Sequence, residues 1–101
     1  MPTLYEYFGI IVYFFSNDHE PIHIHAKCEN RICKAVLTVE NGKVVTIKIK
    51  LDGKNIPLRN DEIKKLDELL KYYSDDIVKK WKEFFLLNKK IKKIKITKRL
   101  K

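Results

Sequence analysis

Glycine and proline are scarce in this chain, with three of each in 101 residues. Gly9, Gly42 and Gly53 stand far apart, which excludes a glycine-rich phosphate loop. No Pro/Gly linker, low-complexity tract or internal repeat divides the chain, so residues 1–101 read as a single domain. Cysteine is limited to Cys28 and Cys33, too few for the disulfide framework of a small secreted protein. Two reduced thiols are expected. They flank residues 29–32 and could face each other across a hairpin, and the spacing permits them to join His23 and His25 around zinc. Long apolar runs are missing too. The longest near the start, Phe8 to Phe15, falls far short of a membrane span. It lacks the basic flank and the small-residue cleavage site of a signal peptide, so the expected location is the cytoplasm, with no membrane partner. Arginine occurs only at positions 31, 59 and 99 among 22 basic residues. The side chain best suited to bidentate phosphate recognition is therefore rare.

What is plentiful is lysine, and its distribution matters more than the net charge of +9. Residues 1–78 carry 11 Lys/Arg against 12 Asp/Glu, whereas residues 79–101 carry 11 Lys/Arg against Glu83 alone. Such a basic terminal segment attracts polyanions by releasing condensed counterions. Lys89, Lys90, Lys92, Lys93, Lys95, Lys98 and Arg99 are the candidate nucleic-acid contacts. A solvated lysine-rich surface is the competing reading.

The apolar pattern divides the chain at about residue 52. Segment 4–15 reads as one buried strand. Ser16 to Pro21 is a loop, dense in turn formers. Ile22 to Cys28 is a second strand, with Ile22 and Ile24 on one side and His23 and His25 on the other. Ile32–Glu40 and Lys43–Leu51 follow, joined by the hairpin signal Asn41-Gly42. A strict two-residue turn sets Leu37 opposite Thr46. A glycine bulge sets Leu37 opposite Ile47 and segregates apolar residues better, and the sequence leaves both registers open. From residue 60 to 88 the period becomes helical. Asn60 is the expected N-cap, Ile63, Leu66, Leu70 and Tyr73 form one stripe, and a break at Ser74 precedes a second stripe of Ile77, Trp81, Phe84 and Phe85. In the basic segment 89–101, Ile94 and Ile96 alternate as in an edge strand. The expected fold is α+β: an antiparallel sheet of about four strands followed by two helices on one face, with a C-terminal edge strand. Helices on the isoleucine side leave His23, His25 and Lys27 uncovered.

All three histidines fall within seven positions, beside Asp18 and Glu20. Three readings fit. In an acid–base site, His23 and His25, two residues apart on one strand face, bracket a scissile phosphate. One imidazole takes a proton from a 2′-hydroxyl, the other protonates the leaving oxygen, and Lys27 neutralises charge. In a metal site, His23, His25 and His19 chelate a divalent ion such as zinc, with Asp18 or Glu20 as a further ligand or orienting group. In the third reading the histidines are structural and Asp18 caps a turn. No Ser-His-Asp or Cys-His order is present.

Met1-Pro2-Thr3-Leu4, the run Phe8 to Phe14, and Asn17-Asp18-His19-Glu20-Pro21-Ile22-His23-Ile24-His25-Ala26 resemble a family of small bacterial proteins of unknown function. That family carries an N-D-H-x-P-x-H-x-H-A segment. The likeness covers roughly the first forty residues; Lys34-Ala35-Val36 and the Trp81 helix add weaker support. It carries over Asn17, Asp18, His19, Pro21, His23 and His25. It implies a compact domain encoded beside a small cognate partner, in the manner of toxin–antitoxin pairs, and supplies no established reaction. The lysine-rich end and the two cysteines depart from the pattern. Taken together, the expectation is a small cytosolic member of such a pair that binds or cleaves RNA through His19, His23 and His25, assisted by Asp18 and Lys27. The alternative is a non-enzymatic partner-binding module whose histidine loop is structural or metal-stabilised.

Overall fold

Phe8 and Gly9 both take positive φ, +46° and +84°, and this tight turn breaks the first apolar segment into a hairpin. The computed structural model describes residues 3–14 and 22–100. Strands β1 (Thr3–Tyr7), β2 (Ile10–Tyr13), β3 (His23–Cys28), β4 (Arg31–Glu40) and β5 (Lys43–Leu51) pair as an antiparallel meander. Helices α1 (Asn60–Tyr72) and α2 (Ser74–Phe85) follow, and β6 (Ile94–Ile96) returns to pair with β1 in parallel. The sheet order is β5-β4-β3-β2-β1-β6. The fold is α+β with the expected C-terminal edge strand at Ile94–Ile96, but its sheet has six strands and is mixed, where about four antiparallel strands and that edge strand are expected from the sequence. Both differences have one origin each. The Phe8-Gly9 turn hides inside a continuous apolar run, and the last strand joins an edge already laid down some ninety residues earlier. None of the helices described is long and apolar enough to cross a membrane.

The hairpin after β4 reconciles the two registers. Glu40 faces Lys43 across a two-residue turn, Val39 faces Val44, and a bulge then restores Leu37 opposite Ile47. The turn chemistry and the apolar pairing are both satisfied, with Val45 left half exposed at the bulge. Leu37, Ala35 and Cys33 of β4 thereby stand with Ile47, Ile49 and Leu51 of β5 on the side where the helices pack.

That covered side is almost wholly apolar. Tyr5, Tyr7, Ile10, Val12, Ile24, Ala26, Ala35 and Leu37 meet Leu66, Leu69, Leu70, Ile77, Val78 and Trp81 in one buried cluster. Two polar latches fix the helices over it. The hydroxyl of Tyr5 donates to Asp76 at 2.5 Å, and Lys80 reaches the same carboxylate at 2.6 Å. Burial, and then the neighbouring Asp76, push the Tyr5 hydroxyl well above the ordinary tyrosine range. At the start of α1, Glu62 takes the backbone N–H of Arg59 at 2.8 Å and holds the Arg31 guanidinium in a fork at 2.9 and 2.6 Å. Arg59, rather than Asn60, is the N-cap; Glu62, three positions on, reaches back to accept the Arg59 N–H, which is the N3 half of a capping box.

The basic C-terminal segment is built into the fold. Besides the β6–β1 pairing, Arg99 forks onto Glu68 at 2.7 and 3.1 Å, and Leu100 N–H donates to the Tyr7 hydroxyl at 2.8 Å. Ile91, Ile96 and Leu100 pack on the core. Removing residues 89–101 would strip an edge strand and unlatch α1, so such a deletion cannot test the segment's charge in isolation.

Candidate functional site

Strand β3 alternates strictly, and the alternation makes the site. Ile24, Ala26 and Cys28 are buried toward the helices, so His23, His25 and Lys27 occupy the opposite face. The two imidazoles meet edge to face with ring centroids 5.4 Å apart. Register with the flanking strands sets Tyr13 beside His25 on β2, Lys34 beside it on β4, and Lys50 beyond Lys34 on β5. Tyr13, His25, Lys34 and Lys50 thus form one row across four strands. The Tyr13 ring stacks on His25 at 5.5 Å.

A further group comes from a distant point in the chain. Asp52 follows the last residue of β5 and continues the open-face parity of Lys48 and Lys50. Its backbone carbonyl closes a turn by accepting the Asn55 N–H at 3.2 Å and the Asn55 side-chain amide at 2.8 Å. Gly53, at φ +61°, lets the chain leave the sheet there. The Asp52 carboxylate lies 2.9 Å from His25 Nδ1. A carboxylate only accepts, so Nδ1 donates, and this bond orients the ring. His25 is 4% exposed, whereas His23 is half-buried and Lys27 is exposed. The pair expected to act as equivalent acid and base is therefore divided: His23 is the more reachable ring, and His25 is held beneath it by Asp52 and Tyr13.

Among the candidates named from the sequence, His23, His25 and Lys27 come together on the open face. Asp18 and His19 lie outside the described residues, and with them the third ligand of the His19, His23 and His25 metal set. Among the described residues no cluster of three metal-ligating side chains occurs. Cys28 and Cys33 cannot complete a zinc site with His23 and His25, because both are buried on the helix side of the sheet. Nor do they face each other: Cys28 stands opposite Arg31, and Cys33 opposite Ala26. Burial and the neighbouring Glu62 raise the Cys28 thiol above its ordinary range, and Cys33 Sγ accepts the Leu58 N–H at 3.3 Å. These are inert, structural thiols.

In the C-terminal segment, Arg99 is committed to Glu68, and Lys93 and Lys95 stand 3.9 and 4.0 Å from Glu6. Sequence reading misses Tyr13, Asp52, Lys34, Lys48 and Lys50. The period-two series Thr46, Lys48, Lys50, Asp52 carries the signal for the last of these, but only a fixed hairpin register says which face that series shares.

Residues 9–82 match the model of a domain of unknown function, DUF4160. The chain belongs to that family. Searches of the curated proteins and of the solved structures returned no match. The matched span holds β2 to β5, α1 and most of α2, and with them His23, His25, Asp52 and every open-face lysine of β3 to β5. Strand β1 and the C-terminal segment that pairs with it lie outside the span, so the histidine row falls within the matched residues and the segment 89–101 does not.

Proposed function

We propose that this DUF4160 protein acts on RNA as one member of a toxin–antitoxin-like pair, and that His23 is the group that meets the phosphodiester. The observation that carries the reading is the His25–Asp52 bond beneath His23, on the sheet face opposite the helices and beside Lys27. An imidazole positioned in this way can take the proton of a 2′-hydroxyl as its oxygen attacks the adjacent phosphorus. The same ring returns that proton to the departing 5′-oxygen, so a P–O bond forms, another breaks, and no net proton is consumed. Lys27 offsets charge on the phosphorane oxygens. His25 and Asp52 are positioning residues that set the angle of the reactive ring.

A second reading is favoured by the 4% exposure of His25. Here the histidines brace the sheet of a non-enzymatic module that binds a cognate protein. One experiment separates the two: incubation of total RNA with the wild type, His23→Ala, His25→Ala and Asp52→Asn, each with and without a chelator. The ribonuclease reading expects cleavage that resists the chelator and falls at least about 100-fold in His23→Ala. In Asp52→Asn the pH–rate profile moves while the fold persists. Cleavage abolished by the chelator would replace the acid–base step with metal chemistry. No cleavage by the folded wild type would leave the binding module standing.

A further inference from the structure

The open face holds an electrostatic arrangement that neither folding nor the proton transfer requires. Lys34 and Lys50 stand directly opposite each other on β4 and β5, and Lys48, one pleat along β5, stands opposite Val36. Directly opposed like charges destabilise a sheet. A solvated protein face ordinarily intersperses both signs. Here the compensation is missing: among the described residues none of Lys27, Lys34, Lys48 and Lys50 takes part in an ion pair. Among the described residues, the carboxylates of this face are engaged by other partners. Asp52 is bound to His25, Glu6 lies by Lys93 and Lys95 at the far edge, and Glu40 faces Lys43 at the hairpin tip.

We propose that Lys34, Lys48 and Lys50 form a track for the phosphate backbone of single-stranded RNA, leading across β5 and β4 to His23, with Lys27 at its inner end. The proposal deepens the preceding reading and rests on its choice of face. Charge complementarity sets the occupant. Residues two apart on a strand are about 7 Å apart, and opposed residues on neighbouring strands about 5 Å apart, so the ammonium groups make a close lattice of point charges without fixed hydrogen-bond geometry. That suits a flexible, repeating anion and carries no base recognition. A flat sheet face cannot enter the groove of a duplex as a helix or a two-stranded ribbon does, which favours a single strand. The track also reassigns the backbone contact from the C-terminal segment, where Arg99 is bound to Glu68 and the strand is part of the sheet.

Fluorescence anisotropy of a labelled single-stranded RNA of about 12 nucleotides, titrated between about 50 and 200 mM salt, tests the track. The protein is compared as wild type, as the face triple Lys34→Gln/Lys48→Gln/Lys50→Gln, and as the tail triple Lys89→Gln/Lys90→Gln/Lys92→Gln, each checked by thermal melting. The slope of log affinity against log salt is expected to fall by about 0.7 per lysine, hence by about 2, in the face triple. In the tail triple it stays at the wild-type value. An unchanged slope in the face triple overturns the track, as does an equal fall in the tail triple or no binding by the wild type at the lowest salt. Equal displacement by a polyglutamate of matched charge overturns the nucleic-acid assignment and points to an acidic protein. RNA bound with this lysine dependence but not cleaved sinks the ribonuclease reading and leaves the track intact; cleavage without it does the reverse.

Discussion

The two sides of strand β3 are made from six consecutive residues and have opposite character. Ile24, Ala26 and Cys28 are buried on the side that the helices cover; His23, His25 and Lys27 lie on the side with no helical cover among the described residues. A strand exchanges sides at every residue, so a chain can place its stability and its chemistry in one segment without mixing them. Stability is therefore vulnerable on one side and chemistry on the other. Substitutions at alternate positions should fall into two classes, one read by melting and the other by ligand binding. The largest expected effect is on the covered side. Ile24→Ala removes a fully buried side chain from the centre of the sheet and should cost about 3 kcal/mol, a drop in Tm of about 15 °C for a domain of this size. Thr38→Ala, on the exposed side of β4, should move Tm by no more than about 3 °C. Thermal denaturation of the two variants measures the contrast, and equal losses would break it.

The same alternation explains what is legible in the sequence. The isoleucine–histidine alternation of β3, the Asn41-Gly42 turn and the break between two amphipathic helices are local signals, each decided within a few residues. They give the α+β class, the helix-covered side and the placement of His23, His25 and Lys27 opposite the helices, but not the burial of His25. The Phe8-Gly9 turn is not legible, because a phenylalanine at positive φ within an apolar run carries no turn signature. The alternation of Ile94 and Ile96 marks β6 as a strand, but its parallel pairing with β1 is non-local and leaves no trace in that alternation. Asp52 is out of reach for the same reason. It meets His25 only because the meander sets β3, β4 and β5 side by side and the bulge at Val45 puts Lys48, Lys50 and Asp52 on the histidine side rather than the helix side.

A second effect, smaller than the loss of Ile24, sharpens the contrast between buried and open charge. Arg31 and Glu62 tie the covered side of the β3–β4 hairpin to the first turn of α1. The fork of hydrogen bonds from Arg31 holds the Glu62 carboxyl well below the usual carboxylate range, against the opposing pull of burial. A carboxyl depressed in the folded state adds stability that is fully present above its unfolded pKa, about 4.3 for glutamate. That stability is lost progressively as the pH falls below this value, because the unfolded chain takes up the proton first. Glu62→Gln should therefore lower Tm by about 8 °C at pH 7, and the gap should narrow steadily below about pH 4. Melting curves of both proteins across that range measure it. A gap that stays constant into acid would show that the guanidinium fork does not set the carboxyl.

The smallest expected effect has the opposite sign and separates the two sides most sharply. Lys34 stands against Lys50 with no carboxylate between them, so Lys34→Thr replaces a like-charge contact with a side chain that suits a strand. The variant should be more stable than the wild type by about 0.5 kcal/mol, or about 3 °C in Tm, with the gain shrinking as salt screens the repulsion. The same change should weaken single-stranded RNA binding and reduce its salt slope by about 0.7. A residue that costs stability while strengthening binding marks a surface shaped by its ligand rather than by the fold. A variant that gains stability and binds RNA with an unaltered slope would show that the lysine opposition on this face serves neither the fold nor a polyanion.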